Sequence, residues 1–237
     1  MRILALETSA KSVSAAVVED GLVLASAFQC TALTHSRTLM PMVDAMLKNA
    51  ELALPSVDLF AVSAGPGSFT GLRIGISALK GLAWTLDRPC VGVSTLEAMA
   101  QNLAHTDALL VGAMDARRSQ VYNALFRAEG GVLTRLCPDR AIALEELCAL
   151  LPAGERTLVL GDGAQLAYDC FTARGIPCAL APAALRYQNA VGVALAAERA
   201  FARGEAVSAQ ALRPVYLRPS QAERERSARL QKEANPL

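Results

Sequence analysis

Four glycines and a proline occupy the stretch SAGPGSFTGLRIG, where an apolar strand ends and a helix begins. Glycine lets backbone N–H groups approach a ligand closely, and the positive end of a helix attracts anions. The stretch therefore predicts an anion-binding loop of the kind that holds a nucleotide phosphate. The candidate contacts to a nucleotide are Gly65, Gly67, Ser68, Thr70 and Gly71. A tight strand-to-helix turn with close packing explains the same glycines equally well, because the loop has neither the Gly-Lys-Ser/Thr of a Walker A loop nor the G-x-G-x-x-G spacing.

The other reactive residue types are sparse and poorly spaced for catalysis. The two histidines, His35 and His105, lie far apart in the sequence, and the six cysteines contain no C-x-x-C pair. His35 is followed directly by Ser36, but adjacent serine and histidine residues do not make a catalytic triad. We therefore predict no catalytic residue, no metal site and no cofactor beyond weak nucleotide binding.

Composition limits the classes of protein to which the chain can belong. Hydrophobic residues make up 53% of the 237 residues and the formal net charge is +1. This excludes a disordered chain and gives no general electrostatic attraction for nucleic acid, so that any RNA would be contacted by a local patch or indirectly through a partner. The opening MRILALETSA is too short an apolar run for a signal peptide or a membrane span, which predicts a cytoplasmic protein without membrane association.

The order of predicted elements repeats within the chain. Each half of the sequence predicts the order βββαβαβα, and the boundary between the halves lies near residues 105–107. We therefore expect an α/β protein with an N-terminal lobe (1–106), a C-terminal lobe (107–219) and a polar tail (220–237). Ligands of such folds bind beyond the carboxyl ends of the strands, here between the lobes.

Two lobes of this order resemble the duplicated, ribonuclease H-like fold of the actin, sugar-kinase and Hsp70 ATPase superfamily. Within that superfamily the chain resembles the TsaB (YeaZ) family of bacterial tRNA threonylcarbamoyladenosine biosynthesis proteins, over essentially its whole length. The motifs that carry the resemblance are ETS (from Glu7), HSRTLMP (from His35), GPGSFTGLRIG (from Gly65), MDARRSQVY (from Met114) and PVYLRP (from Pro214).

The resemblance implies a non-catalytic subunit. The catalytic paralogue TsaD binds its metal through a His-x-x-x-His motif, and Thr95 and Met99 stand at the corresponding positions of VSTLEAMA. A hydroxyl and a thioether are poor ligands for a hard or borderline cation. The implied role is to work with TsaD and TsaE when a threonylcarbamoyl group is transferred to the adenosine 3′ of the anticodon, in tRNAs that read codons beginning with A.

The resemblance also implies a heterodimer with TsaD through helices of the N-terminal lobe, and a homodimer when the chain is alone. The apolar residues of the two predicted helices are therefore candidates for the interface, although they could equally belong to the core. They are Leu39, Met42, Met46, Leu72, Ile76 and Leu79.

Two other functions remain open at this point. An active ATPase or kinase of the same superfamily would need acidic metal ligands, for which Glu7 and Asp115 are candidates because both lie at the ends of predicted strands. A peptidase would need a nucleophile or a metal, and the sequence offers neither in a recognisable arrangement.

Overall fold

The structure of the chain is a computed structural model that describes residues 1–152 and 154–219. The predicted polar tail (220–237) lies outside the described residues. No helix in the described part of the chain is both long and apolar enough to cross a membrane.

The N-terminal half of the chain forms a five-stranded mixed sheet. Its elements, with a short 3-10 helix at Leu54–Ser56, are β1 (Arg2–Glu7), β2 (Val13–Glu19), β3 (Leu22–Gln29), α1 (His35–Asn49), β4 (Leu59–Gly65), α2 (Phe69–Thr85), β5 (Cys90–Ser94) and α3 (Thr95–Gln101). The strand order is β3-β2-β1-β4-β5. The first three strands pair antiparallel, and β4 and β5 continue the sheet in parallel.

The C-terminal half forms a six-stranded mixed sheet. Its elements are β6 (Ala108–Asp115), β7 (Gln120–Glu129), β8 (Val132–Arg135), β9 (Arg140–Ala143), α4 (Leu144–Ala149), β10 (Thr157–Leu160), α5 (Ala164–Ala173), β11 (Ala179–Leu180) and α6 (Ala190–Ala202). The main path runs β11-β10-β6-β7-β8, and β9 pairs with β7. The predicted α/β fold with two similar halves is thus confirmed.

Strand β9 is the one element of this half that the predicted order βββαβαβα lacks. Strand β7 spans ten residues, of which β8 pairs only with residues 126–129. The other end of β7, at residues 120–123, would leave its backbone groups unpaired at a sheet edge, and β9 satisfies them. The four-residue RAIA segment is too short for its pattern to be recognised as a strand.

One helix from each half packs against the sheet of the other half. Helix α6 covers the face of the first sheet that carries Ile3, Ala5 and Val18, and α3 packs its Leu96 and Met99 into the core of the second sheet. Each strand named above therefore lies in the sheet of its own half of the chain, whereas α3 and α6 each pack against the sheet of the other half.

Helices α1 and α2 cover the other face of the first sheet, which corrects the predicted interface. Five of the six predicted interface side chains lie in the hydrophobic core beneath these helices and are at most 6% exposed: Leu39, Met46, Leu72, Ile76 and Leu79. Only Met42 is partly exposed. The reason is geometric, since residues spaced three, four and seven apart share one helix face, and the sheet occupies that face.

Candidate functional site

The glycine loop connects β4 to α2 and packs against the turn that follows β1. The Ser68 N–H donates to the carbonyl oxygen of Ser9 at 2.7 Å. The Thr8 hydroxyl donates to the carbonyl oxygen of Gly71 at 2.8 Å. Two motifs that lie about sixty residues apart in the sequence therefore form one structural unit at the carboxyl ends of β1 and β4.

The glycines of the loop are needed for this close packing. A Cβ at Gly67 or Gly71 would collide with the backbone of Ser9 or Thr8. Gly65 has φ of 138° and lies against the carbonyl group of Val215, while Gly75 lies against the Thr8 hydroxyl. The packing interpretation of these glycines is therefore confirmed, whereas nucleotide binding by the loop stays a prediction.

Ser68, Thr70 and Gly71 nevertheless line a cleft of about 580 Å³ at the start of α2. Ser68 caps this helix, because its hydroxyl accepts from the Gly71 N–H at 3.2 Å. Lys11 and His35 also line the cleft, and the His35 Nε2 contacts the carbonyl oxygen of Ala10 at 2.7 Å. The structure thus brings three of the five predicted loop contacts to a cleft, whereas Gly65 and Gly67 do not line it.

Glu7 lies at the end of β1 and is completely buried. Its carboxylate accepts from the Ser9 N–H at 2.5 Å and from the Ser63 hydroxyl. Burial raises the pKa of the Glu7 carboxyl above its ordinary value, and the hydrogen bonds from Ser63 and Ser9 only partly oppose that rise. A carboxyl group enclosed in this way cannot reach a metal ion or a nucleotide in the cleft, which argues against the ATPase alternative.

The raised pKa of Glu7 predicts a dependence of stability on pH. As the pH rises above about 4.3, the unfolded chain loses the Glu7 proton while the folded chain keeps it. The contribution of Glu7 to stability therefore falls with rising pH until the pKa of the folded state is passed. We expect the free energy of unfolding of the wild type, minus that of Glu7→Gln, to decline between pH 4 and 8 in urea titrations. A difference that stays constant over this range would contradict the pKa shift.

The second acidic candidate, Asp115, lies at the end of β6 and stabilises the turn that follows. Its Oδ1 accepts from the Arg117 N–H at 2.7 Å, and its Oδ2 lies 3.3 Å from the Arg117 guanidinium. The turn holds three consecutive residues at positive φ, Arg117, Arg118 and Ser119, with angles of 66°, 57° and 56°. Asp115 therefore serves the local turn.

Asp162 lies in the loop after β10, close enough to Asp115 for the two charges to interact. Burial raises the pKa of the Asp162 carboxyl, a hydrogen bond from Gln188 at 3.3 Å opposes the rise, and the Asp115 charge adds to it. Lys11 is close enough to lower the same pKa. One lysine and two carboxyl groups, Lys11, Asp115 and Asp162, thus lie within electrostatic reach of one another.

The positions that correspond to the metal ligands of TsaD lie in α3. Thr95 and Met99 are both fully buried, and Met99 packs in the core of the second sheet. Glu97 lies between them and forms an ion pair with Arg135 at 2.9 Å. None of these three side chains is free to coordinate a metal ion in the cleft.

Sequence reasoning missed two contributors to the site. Thr8 fixes the glycine loop through its hydroxyl and its backbone, and Lys11 brings a positive charge to the cleft beside the loop and to the surroundings of Asp162. Both belong to the ETSAKS turn after β1, whose polar character was the available signal. Which loop that turn would meet depends on the pairing of β1 with β4, and the local sequence does not report it.

The comparisons with known proteins agree with this arrangement. A family model described as "TsaD: tRNA N6-adenosine threonylcarbamoyltransferase" matches residues 29–225. The tRNA threonylcarbamoyladenosine biosynthesis protein TsaB of Escherichia coli is 34% identical over 92% of this chain and 95% of its own length. The TsaB of Bacillus subtilis is 36% identical over 70% of this chain and 73% of its own length.

Solved structures give the same result. The structure of YeaZ from Pseudomonas aeruginosa superposes with a TM-score of 0.77 at 32% identity, covering 91% of this chain and 99% of that protein. Another structure from the same organism, titled as similar to "peptidase YEAZ", gives a TM-score of 0.79 at 32% identity over 92% and 99%. Sequence and fold therefore agree along nearly the whole chain, and the chain belongs to the TsaB (YeaZ) family.

Proposed function

We propose that this chain is a non-catalytic subunit of the system that makes threonylcarbamoyladenosine in tRNA. In this proposal it acts in the cytoplasm with TsaD and TsaE, and TsaD transfers the threonylcarbamoyl group to the adenosine 3′ of the anticodon. The tRNAs are those that read codons beginning with A. Support for the general role comes from the end-to-end match with proteins named for this biosynthesis.

One observation carries the non-catalytic part of the proposal. The two residues at the positions of the TsaD metal histidines, Thr95 and Met99, are chemically poor ligands and are buried in the folded core. The burial of Glu7 removes a further acidic candidate from the cleft. We accordingly propose that the chain has no resident metal or cofactor, and that the chemistry takes place on TsaD.

We further propose that the partner binds to the outer face of α1 and α2. The side chains on this face differ from those predicted, because the larger apolar residues of both helices pack against the sheet. On α2 the outer face carries small or partly exposed residues, including Ile74, Ser77, Ala78 and Gly81, and Met42 of α1 is also partly exposed. Small residues let a partner helix approach closely. The same face would serve for pairing with a second copy of the chain when TsaD is absent.

Reconstitution tests the role directly. TsaC, TsaD, TsaE, ATP, threonine, bicarbonate and tRNA are combined with and without this chain, and modified adenosine is quantified by mass spectrometry of digested tRNA. We expect modification to fall to background without the chain. A mixture that contains the chain but lacks TsaD should also stay at background, because the chain supplies no catalytic group.

Two results would overturn the proposal. Undiminished modification without the chain would exclude a required subunit. Modification in the mixture that lacks TsaD would show that the chain itself is catalytic.

A further inference from the structure

Three motifs from distant parts of the sequence meet on one surface beside the glycine loop. The rings of Phe69 and Tyr216 are stacked, with centroids 4.7 Å apart and planes at 25°. Arg73 lies over the Phe69 ring at 3.9 Å, and its Nε donates to the Tyr216 hydroxyl at 3.0 Å. Arg218 donates to the carbonyl oxygen of Ala116 at 2.7 Å, which joins the segment PVYLRP to the turn after β6. We call Phe69, Arg73, Tyr216 and Arg218, together with the exposed Arg118 two residues beyond Ala116 in that turn, the aromatic–arginine surface.

Among the residues that the structure describes, the charge of this surface is positive and largely uncompensated. In the described part of the chain, Arg73, Arg118 and Arg218 form no ion pair with a carboxylate, whereas Arg117 pairs with Asp115. Elsewhere arginines do pair, as Arg135 does with both Glu97 and Asp139. Although the net charge of the chain is only +1, this surface therefore carries three arginines that have no carboxylate partner among the described residues, and one of them, Arg73, lies directly on the aromatic stack. This distribution favours a polyanionic partner.

Tyr216 is the accessible ring of the aromatic–arginine surface and is already held in position, whereas Phe69 is partly buried. Tyr216 is 38% exposed and its neighbour Val215 is 54% exposed. The stack with Phe69 and the bond from Arg73 hold the Tyr216 ring in one orientation, so little conformational freedom remains to be lost on binding. Unpaired bases of single-stranded RNA stack on aromatic rings and guanidinium planes, and arginines bind the phosphates between them.

We propose that the aromatic–arginine surface binds a single-stranded RNA segment directly, as a tRNA loop would present it. Naming tRNA rests on the proposed function, whereas the chemistry of recognition rests on the surface alone. An apolar protein partner fits less well, since it would bury several arginines without a countercharge. Of the two possibilities left open by the composition, the proposal favours direct contact by a local patch over indirect contact with tRNA.

Binding of a fluorescein-labelled tRNA anticodon stem-loop to the purified full-length chain, measured by fluorescence anisotropy, tests the proposal. We expect Arg73→Glu and Arg118→Glu each to weaken binding roughly tenfold at low salt, and to reduce the salt dependence by about one phosphate contact each. Tyr216→Ala should weaken binding roughly tenfold with little change in salt dependence, because stacking is lost. Arg199→Glu, an exposed arginine on α6, is the matched control and should leave affinity within about twofold of the wild type, as expected for a charge outside the contact.

The outcomes separate this proposal from the proposed function. Wild-type chain that shows no binding at 100 µM, or Arg199→Glu weakening it as much as Arg73→Glu, would overturn the RNA surface. The proposal would also be overturned if Arg118→Glu lost TsaD binding but kept its RNA affinity, because the surface would then be a protein interface. Site-specific RNA binding by a chain that proves dispensable in the reconstitution would instead leave the surface standing and remove the proposed role. Circular dichroism of each variant verifies that it is folded. If Arg73→Glu does not fold, Arg118→Glu still tests the proposal, because the Arg118 side chain makes no hydrogen bond within the described chain.

Discussion

Gly71→Ala should lower the free energy of unfolding by about 3 kcal/mol, because the new methyl group would overlap the backbone carbonyl group of Thr8. Backbone atoms cannot rotate away as a side chain can. The turn after β1 and the first turn of α2 would have to separate, which also strains the hydrogen bond from the Thr8 hydroxyl to Gly71. Urea denaturation followed by circular dichroism measures the change.

Gly81→Ala on the same helix is the matched control for this prediction. Gly81 is exposed, and a Cβ built there meets nothing within 4 Å. Alanine in an exposed helix interior is more favourable than glycine by about 0.5–1 kcal/mol, so this variant should be slightly more stable than the wild type. Equal effects of the two substitutions would contradict the packing role assigned to Gly71.

The effects of Leu72→Glu and Ser77→Glu on stability should distinguish the buried face of α2 from its outer face. Leu72 is completely buried, so a glutamate there places a carboxyl group in the hydrophobic core, at a cost of more than about 4 kcal/mol. That is comparable with the total stability of a typical domain, and the chain should be largely unfolded. Ser77 is exposed, and the same side chain there should change stability by less than about 0.5 kcal/mol.

The folded Ser77→Glu variant then tests the proposed partner surface. A charge in the middle of the outer face would be buried without a partner on complex formation, so we expect binding to TsaD to weaken at least tenfold in isothermal titration calorimetry. Ala202→Glu adds the same charge on α6, which covers the opposite face of the first sheet, and should bind TsaD like the wild type. Unchanged binding by Ser77→Glu would remove the outer face of α2 from the interface.

The sequence alone determined the elements and their order, except for strand β9. Apolar strands such as RILALE and LFAVSAG and the helical spacing in α1 and α2 are local patterns, and each reports the structure of its own segment. The duplication followed from the repeated order, and the family followed from motifs read along the chain. The glycine loop was also located from sequence, because a glycine-rich stretch between a strand and a helix is a local feature.

Only the tertiary structure decided which of those elements pack together and which residues they bury. The apolar face of α2 was visible in the sequence, but whether Leu72 and Ile76 face a sheet or a partner depends on what covers them. The glycines of the loop fit phosphate binding and close packing equally well, until the contact between Thr8 and Gly71 joined residues 63 positions apart. The packing of α3 and α6 against the sheet of the opposite half likewise cannot be recognised in the sequence of either helix.

The aromatic–arginine surface shows the physical reason most clearly. Arg73 and Tyr216 are 143 positions apart, and neither residue is unusual in its own segment. Periodicity records only interactions within about two turns of a helix or across one hairpin, since those distances are fixed by backbone geometry. Contacts between distant segments are fixed by how the two sheets and their covering helices pack. The sequence therefore predicted the parts of this protein, whereas its binding surfaces were set by the packing of those parts.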